Sequence, residues 1–277
     1  MAIVDLKGKQ VLVTGAAAGI GRATALAFAK RGANLVISDL NPARLADAKK
    51  EIEAIGVACL GRSVNVADEG AMRAFADEVR ASVGALDVLV NNAGIGYLGP
   101  FLQSPLDSWK RTLDVNVMGV VHGCYFFVPP MVAAGGARRV VNVASIAGIA
   151  PAPNMSAYAA SKHAIMGLCD VLAMELDGSG VGVTAVCPGI INTEITANDA
   201  NVSAAISAHQ IAKLRAFYKA NGISPGIVAE AIVEAVERGR ELVLVGPWAR
   251  PMHHLKRLSR RLTRHLMLTD ARKSGYI

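Results

Sequence analysis

The sequence predicts an α/β protein built on a single doubly wound parallel sheet of about seven strands, with helices on both faces. Three observations lead there. Short apolar runs alternate with longer segments of helical period along most of the chain, the pattern of a parallel sheet covered on both sides. The first such run passes through a glycine-rich turn directly into a helical segment. The 277 residues, 52% of them hydrophobic and 18% charged, supply ample core and argue against disorder.

Taken in order, Gln10–Thr14 reads as a buried strand leading into Thr14-Gly15-Ala16-Ala17-Ala18-Gly19-Ile20-Gly21 and a helix from Arg22. Strand, glycine turn and helix together form the context of a dinucleotide site. Glycine lets the backbone approach a pyrophosphate, and a helix N-terminus offers it free N–H groups. A second strand, Ala33–Asp39, ends on an acid that can accept hydrogen bonds from ribose hydroxyls and repel a 2′-phosphate. Neither Ala18 nor Leu40 offers a compensating cation, so NAD is favoured over NADP.

Pro42–Ile55 reads as a helix with proline in its first turn, and Val57–Val66 as a third strand and its exit. Asp68 is placed to cap a helix reaching Val83. The fourth strand, Asp87–Asn91, runs into Asn92, Ala93 and Gly94, small enough to pack on a nucleotide. A helical stretch over Ser104–Met131 carries Asn116 in apolar surroundings. The fifth strand, Val140–Ala144, delivers Ser145 to the carboxyl edge of the sheet, where open α/β sheets bind ligands.

Beyond a proline-rich loop, Tyr158 and Lys162 stand four apart on a helix running to about Asp177, so both side chains share one face. An ammonium one turn away stabilises a phenolate, lowers its pKa and makes tyrosine a usable general base. A sixth strand, Val181–Cys187, breaks at Pro188-Gly189 and is followed by Ile190, Ile191, Asn192 and Thr193. Helical pieces over 194–224, a helix from Pro225 to Arg238 and a last strand over Glu241–Gly246 complete the alternation.

No segment reads as the roughly 20 apolar residues of a membrane span, and the first residues lack a secretory pattern. The four cysteines are scattered, without metal-ligand spacing, and the three that lie in apolar runs read as reduced core residues. A cytoplasmic protein without a metal is the expectation. Residues 1–247 are read as the catalytic domain and 248–277 as a basic tail. The tail holds eight basic residues and one acid, and so carries the whole net charge of +7. Within it, Leu255, Leu258, Leu262 and Leu266 alternate with cations over 251–267, which predicts one amphipathic helix. Its leucines would pack on the body or a second subunit, or the helix would lie peripherally on an anionic membrane. Nucleic acid is disfavoured because aromatic interleaving and a reading motif are missing.

The set Thr14-Gly15-x-x-x-Gly19-x-Gly21, Asn91-Asn92-Ala93-Gly94, Asn116, Ser145, Tyr158-x-x-x-Lys162 and Pro188-Gly189, in this order over roughly 5–246, resembles the short-chain dehydrogenase/reductase family. The resemblance implies a Rossmann-type fold, a homodimer or homotetramer, and hydride transfer between NAD and a carbinol or carbonyl carbon. It implies Tyr158 as general acid/base, Lys162 holding the nicotinamide ribose and lowering the tyrosine pKa, and Ser145 bonding the substrate oxygen. Asn116 would anchor a water in a proton relay, and Thr193 would bond the carboxamide. Cofactor contacts are implied at Gly15, Ala17, Gly19, Ile20, Gly21, Asp39, Asn65, Val66, Asn92, Ala93, Gly94, Pro188, Gly189 and Ile191. Asn65 stands where family members commonly carry aspartate, which weakens the expected adenine contact.

The segments that wall the substrate pocket in that family here supply Ile95, Tyr97, Ile146, Met155 and Ile190, with Ile195 further on. Almost no charge is available there to grip a carboxylate or phosphate. The expectation is an apolar secondary alcohol or ketone, such as a lipid, steroid-like or terpenoid compound. The alternatives are an NADPH-dependent 3-oxoacyl-thioester reductase and a non-catalytic NAD-binding scaffold.

Overall fold

The computed structural model describes residues 1–193, 199–273 and 277. Its seven strands are β1 (Gln10–Thr14), β2 (Asn34–Asp39), β3 (Cys59–Ser63), β4 (Val88–Asn91), β5 (Arg138–Val143), β6 (Val181–Pro188) and β7 (Leu242–Val245). They form one sheet in the order β3-β2-β1-β4-β5-β6-β7, every neighbouring pair parallel. The order reverses between β1 and β4, which opens a crevice at their carboxyl ends.

Alternate strand residues feed two cores. Val11 and Val13 pack with Phe28 of α1 (Gly19–Lys30), Ile52 of α2 (Pro42–Glu53) and Val233 of α8 (Pro225–Arg238). Leu12 between them points to the other face, with Phe75 of α3 (Glu69–Val83), Phe127 of α5 (Gly119–Ala134) and Ile165 of α6 (Ser156–Glu175). Both faces being buried explains why the strands read as unbroken apolar runs. Local caps agree with the packing. Asp68 accepts from the Ala71 N–H at 2.9 Å, and Ser224 from the Gly226 N–H at 3.2 Å.

The long helical stretch is interrupted. α4 (Leu106–Leu113) passes into α5 through a π-helical turn, Asp114–Met118. From Leu106 to Ala134 it spans 29 residues and contains an 18-residue window of mean hydropathy 1.6. By length and composition this corrects the expectation that no segment could cross a membrane. In the structure Val120, Cys124, Phe127, Val128 and Met131 of this stretch are buried in the core.

The tail also departs from expectation. It forms two helices, α9 (Ala249–Leu258) and α10 (Arg260–Lys273), separated by Ser259 in extended conformation. Serine competes with helix continuation and favours an N-cap. Here its hydroxyl accepts from the Leu262 N–H at 3.1 Å and its carbonyl from the Thr263 N–H at 3.1 Å. The side chains turned to the body are Ala249, Met252, Thr263 and Ala271, all buried, whereas Leu258, Leu262 and Leu266 are exposed. Three of the four leucines of the stripe therefore face solvent, while Leu255 is half-buried.

Candidate active site

A cavity of about 380 Å³ opens at the carboxyl ends of the central strands. At one end lies the glycine turn. Gly15 and Gly19 adopt positive φ (64° and 54°), a conformation glycine reaches without strain. A Cβ on Gly21 would lie 2.1 Å from the Gly15 carbonyl oxygen, so only glycine lets the turn close onto α1. The first turn of α1 has neither a side-chain cap nor an acid, which leaves its N–H groups free for an anion.

Asp39 lines the same end of the cavity. One carboxylate oxygen accepts from the Ala17 N–H at 3.0 Å and the other from the Asn41 N–H at 2.9 Å. Each oxygen keeps a lone pair for a further donor. The β4 end is tied on by Asn92, whose amide donates to the Thr14 carbonyl at 2.9 Å, while Thr14 Oγ1 accepts from the N–H groups of Asn92 and Ala93. A nicotinamide dinucleotide fits this end: a free helix N-terminus for its pyrophosphate, a glycine cradle a Cβ would fill, and a carboxylate for a ribose.

At the other end Ser145, Tyr158 and Lys162 line the cavity together. Ser145 leaves β5 with its hydroxyl accepting from the Ala147 N–H at 3.1 Å. Its hydroxyl favours the phenolate of Tyr158, which shares the cavity. Lys162, one turn along α6, donates to the Val143 carbonyl at 2.9 Å, and its Nζ lies 5.7 Å from the Tyr158 ring centre.

Burial governs both pKa values. It pushes the Tyr158 phenol up to about 12, with Ser145 opposing, and pulls Lys162 down to about 8. Desolvation penalises phenolate and ammonium alike and is the largest cause of both shifts.

Asn116 sits fully buried in the π turn. Its amide donates to the Ile95 carbonyl at 2.9 Å and to Ser161 Oγ at 3.0 Å, and its Oδ1 accepts from the Ile95 N–H at 2.8 Å. Both donors being spent, this side chain cannot hold a water by donating to it. It clamps the segment after β4 to the helix of Tyr158 and Lys162.

Of the other residues singled out in the sequence, Gly15, Gly19, Ile20, Asn92, Ala93, Gly94, Pro188, Gly189, Ile191 and Thr193 line the cavity, as do Ile146, Met155 and Ile190. Several do not. Ala17 is spent on Asp39, and Ala18 lines the cavity instead. Gly21 is buried under the turn. Asn65 is exposed, its Oδ1 accepting from the Ala67 N–H at 3.1 Å. Val66 is buried, its carbonyl facing His122 Nδ1 at 2.9 Å. Ile95 lines neither this cavity nor the smaller one beside it; its backbone serves Asn116. Tyr97 lines the smaller cavity, of about 40 Å³, with Tyr158 and Met155. Ile195 lies outside the described residues.

The far wall was not legible in the residue pattern. Leu214, Phe217 and Tyr218 of α7 (Ala208–Asn221) and Met267, Asp270 and Ala271 of α10 line the cavity. The inward strip Thr263, Met267, Ala271 has helical spacing, but the louder leucine pattern beside it hid the signal. The tail also reaches the catalytic helix at Lys256, whose Nζ lies 3.0 Å from His163 Nε2. His163 Nδ1 faces the Ala159 carbonyl at 2.9 Å and must donate to it, which leaves Nε2 as acceptor for the ammonium.

Comparison with known proteins agrees with this geometry. The profile described as short chain dehydrogenase matches residues 9–203. A protein of Mycobacterium tuberculosis (strain ATCC 25618 / H37Rv) named probable oxidoreductase EphD is 40% identical over 252 residues, covering 90% of this chain and 43% of that protein. The chain thus spans less than half the length of that relative. The cyclohexanol dehydrogenase of Acinetobacter sp. (strain SE19) is 37% identical over 190 residues, 68% of this chain and 75% of that one. Among solved structures, a short chain dehydrogenase/reductase from Burkholderia phymatum in complex with NAD superimposes with a TM-score of 0.87 at 30% identity. The match covers 95% of this chain and 97% of that one.

Proposed function

This chain belongs to the short chain dehydrogenase family, and from that premise we propose that it is an NAD-dependent oxidoreductase interconverting an apolar secondary alcohol and its ketone. The observation that carries the reading is the convergence of Ser145, Tyr158 and Lys162 on one cavity whose substrate end is mostly apolar, Tyr218 and Asp270 being its other polar side chains. Ile146, Met155, Ile190, Leu214 and Phe217 form that wall, and Lys162 is the one cation among the described lining residues. A carboxylate or phosphate on the substrate would find no partner there. The name of the Acinetobacter relative, whose namesake substrate is an apolar secondary alcohol, supports the same class.

Asp39 supports NAD, since a 2′-phosphate would face its carboxylate with no cation beside it among the described residues lining that end of the cavity. When bound, the nicotinamide supplies and accepts hydride at the substrate carbon. The protein's part is proton chemistry and position. Tyr158 donates its phenolic proton to the carbonyl oxygen in reduction and takes it back in oxidation. Ser145 donates a hydrogen bond to that oxygen and stabilises the charge developing on it. Lys162 exchanges the proton onward and holds a ribose. Thr193, beside Gly19 at the cavity wall, orients the carboxamide. Asn116 is a positioning residue, acting through Ile95 and Ser161.

Exposed Tyr125 on α5 and Val171 and Met174 on α6 support assembly as a homo-oligomer. The test is steady-state NAD⁺ and NADP⁺ reduction with alcohols graded by size and polarity. The expected result is turnover with NAD⁺ that improves as the alcohol becomes more apolar. Preference for NADP⁺ overturns the cofactor assignment, and preference for acidic alcohols overturns the substrate class.

A further inference from the structure

The tail helices turn a small face to the body and a broad basic, leucine-bearing face to solvent. At roughly 100° per residue, Thr263, Met267 and Ala271 share the strip of α10 that meets the body and the cavity. The remaining surface carries Leu262, Leu266 and Leu268, exposed at 45%, 41% and 36%, and the end of α9 adds Leu258 at 85%. Among these leucines stand Arg257, Arg260, Arg261, Arg264, Arg272 and Lys273, all exposed. Residues 1–247 balance 21 basic against 21 acidic side chains, because the tail takes eight of the 29 cations and one of the 22 acids. The attraction for an anionic partner is therefore concentrated on this one face.

We propose that this face docks the protein peripherally on an anionic lipid surface. Acidic headgroups attract the cations, and the leucines enter the boundary between headgroups and acyl chains. A second copy related by a twofold axis would set one tail of charge +7 against another. Nucleic acid would satisfy the cations but leave four leucines in water, and Leu258–Lys273 holds no Phe, Tyr or Trp to stack on bases. The inner strip of the same helix lines the cavity, so docking brings that wall to the lipid. The proposal stands whether or not the substrate is an apolar alcohol.

The experiment is co-sedimentation of the full chain with phosphatidylserine–phosphatidylcholine vesicles and with pure phosphatidylcholine vesicles, at low and high salt. Pelleting with the acidic vesicles at low salt and release at high salt are expected. Reversing charge in Arg260→Glu/Arg261→Glu/Arg264→Glu should weaken binding by at least about a hundredfold. The Leu262→Ser/Leu266→Ser variant keeps the charge and should weaken it about tenfold. Far-UV circular dichroism and melting temperature establish that both variants fold. No pelleting by folded wild type, equal pelleting on both vesicle types, or an unaltered charge-reversed variant overturns the proposal. A leucine variant that changes oligomeric state but not vesicle affinity overturns it in favour of a second copy. Oligonucleotide binding without vesicle binding overturns it in favour of nucleic acid.

Discussion

Lys162 is buried beneath the cavity floor with its ammonium on the Val143 carbonyl, and burial draws its pKa from 10.5 down to about 8. A folded-state pKa below the unfolded one means that the fold bears a cost while the group is protonated. That cost is complete below pH 8, fades between pH 8 and 10.5, and is absent above. Its size is about 3 kcal/mol, taking about 1.4 kcal/mol per pKa unit. Lys162→Met should therefore abolish turnover yet raise unfolding free energy near neutrality by up to about 3 kcal/mol. The gain should vanish above pH 10.5. Urea unfolding at both pH values checks it, and a pH-independent gain would contradict the assignment.

The same burial shapes the activity profile. With Tyr158 held near 12 and Lys162 near 8, the first proton to leave the two groups goes from Lys162 close to pH 8, which frees its amine to take the phenolic proton. Alcohol oxidation needs that proton gone, so its rate should rise with pH through about 8. In a slow but measurable Lys162→Arg variant the rising limb should move to higher pH. An unmoved limb would assign it to another group. The three cavity residues were singled out through the family resemblance, since a four-residue spacing and a strand end are local properties that recur by chance in many helices and strands. Their pKa values were not legible, since these depend on burial and on neighbours distant in sequence such as Cys187 and Tyr218.

At the scale of the element, the turn into α1 leaves no room for a side chain at Gly21. Gly21→Ala places a Cβ 2.1 Å from the Gly15 carbonyl oxygen and should destabilise the protein by about 1–3 kcal/mol. It should also weaken NAD binding, measured by thermal unfolding with and without NAD. Unchanged melting and an unchanged NAD-induced shift would contradict the close approach. The α10 wall makes a separate prediction. Met267→Ala widens the substrate end and should shift kcat/KM toward bulkier alcohols by about tenfold; equal effects on small and bulky alcohols would remove Met267 from the wall.

Strands and their caps were legible because apolar runs and residues such as Asp68 act locally. The break at Ser259 was masked by a leucine period that runs through it. Asn65 shows a local rule at work. At a position suited by family pattern to adenine, the side-chain oxygen is first used by its own turn, accepting from the Ala67 N–H and keeping one lone pair.

The whole molecule separates its chemistry from its charge. A neutral body holds the nucleotide crevice where the strand order reverses, and a tail of net charge +7 closes one side of the cavity while facing solvent. The architecture was readable from alternation alone, since burying a parallel sheet on both faces leaves few other arrangements. The joining of tail to cavity was not readable, because it arises from contacts between Ala271 and a cluster containing Leu98, Ile206 and Leu214, far apart in the chain. The central claim is that the buried phenol of Tyr158 handles the substrate proton beside a bound dinucleotide. It is tested most directly by NAD⁺ reduction with an apolar secondary alcohol in wild type and Tyr158→Phe, with NAD affinity measured by calorimetry. A fall of at least about a hundredfold in kcat with NAD affinity unchanged is predicted; Tyr158→Phe turning over at the wild-type rate would contradict it.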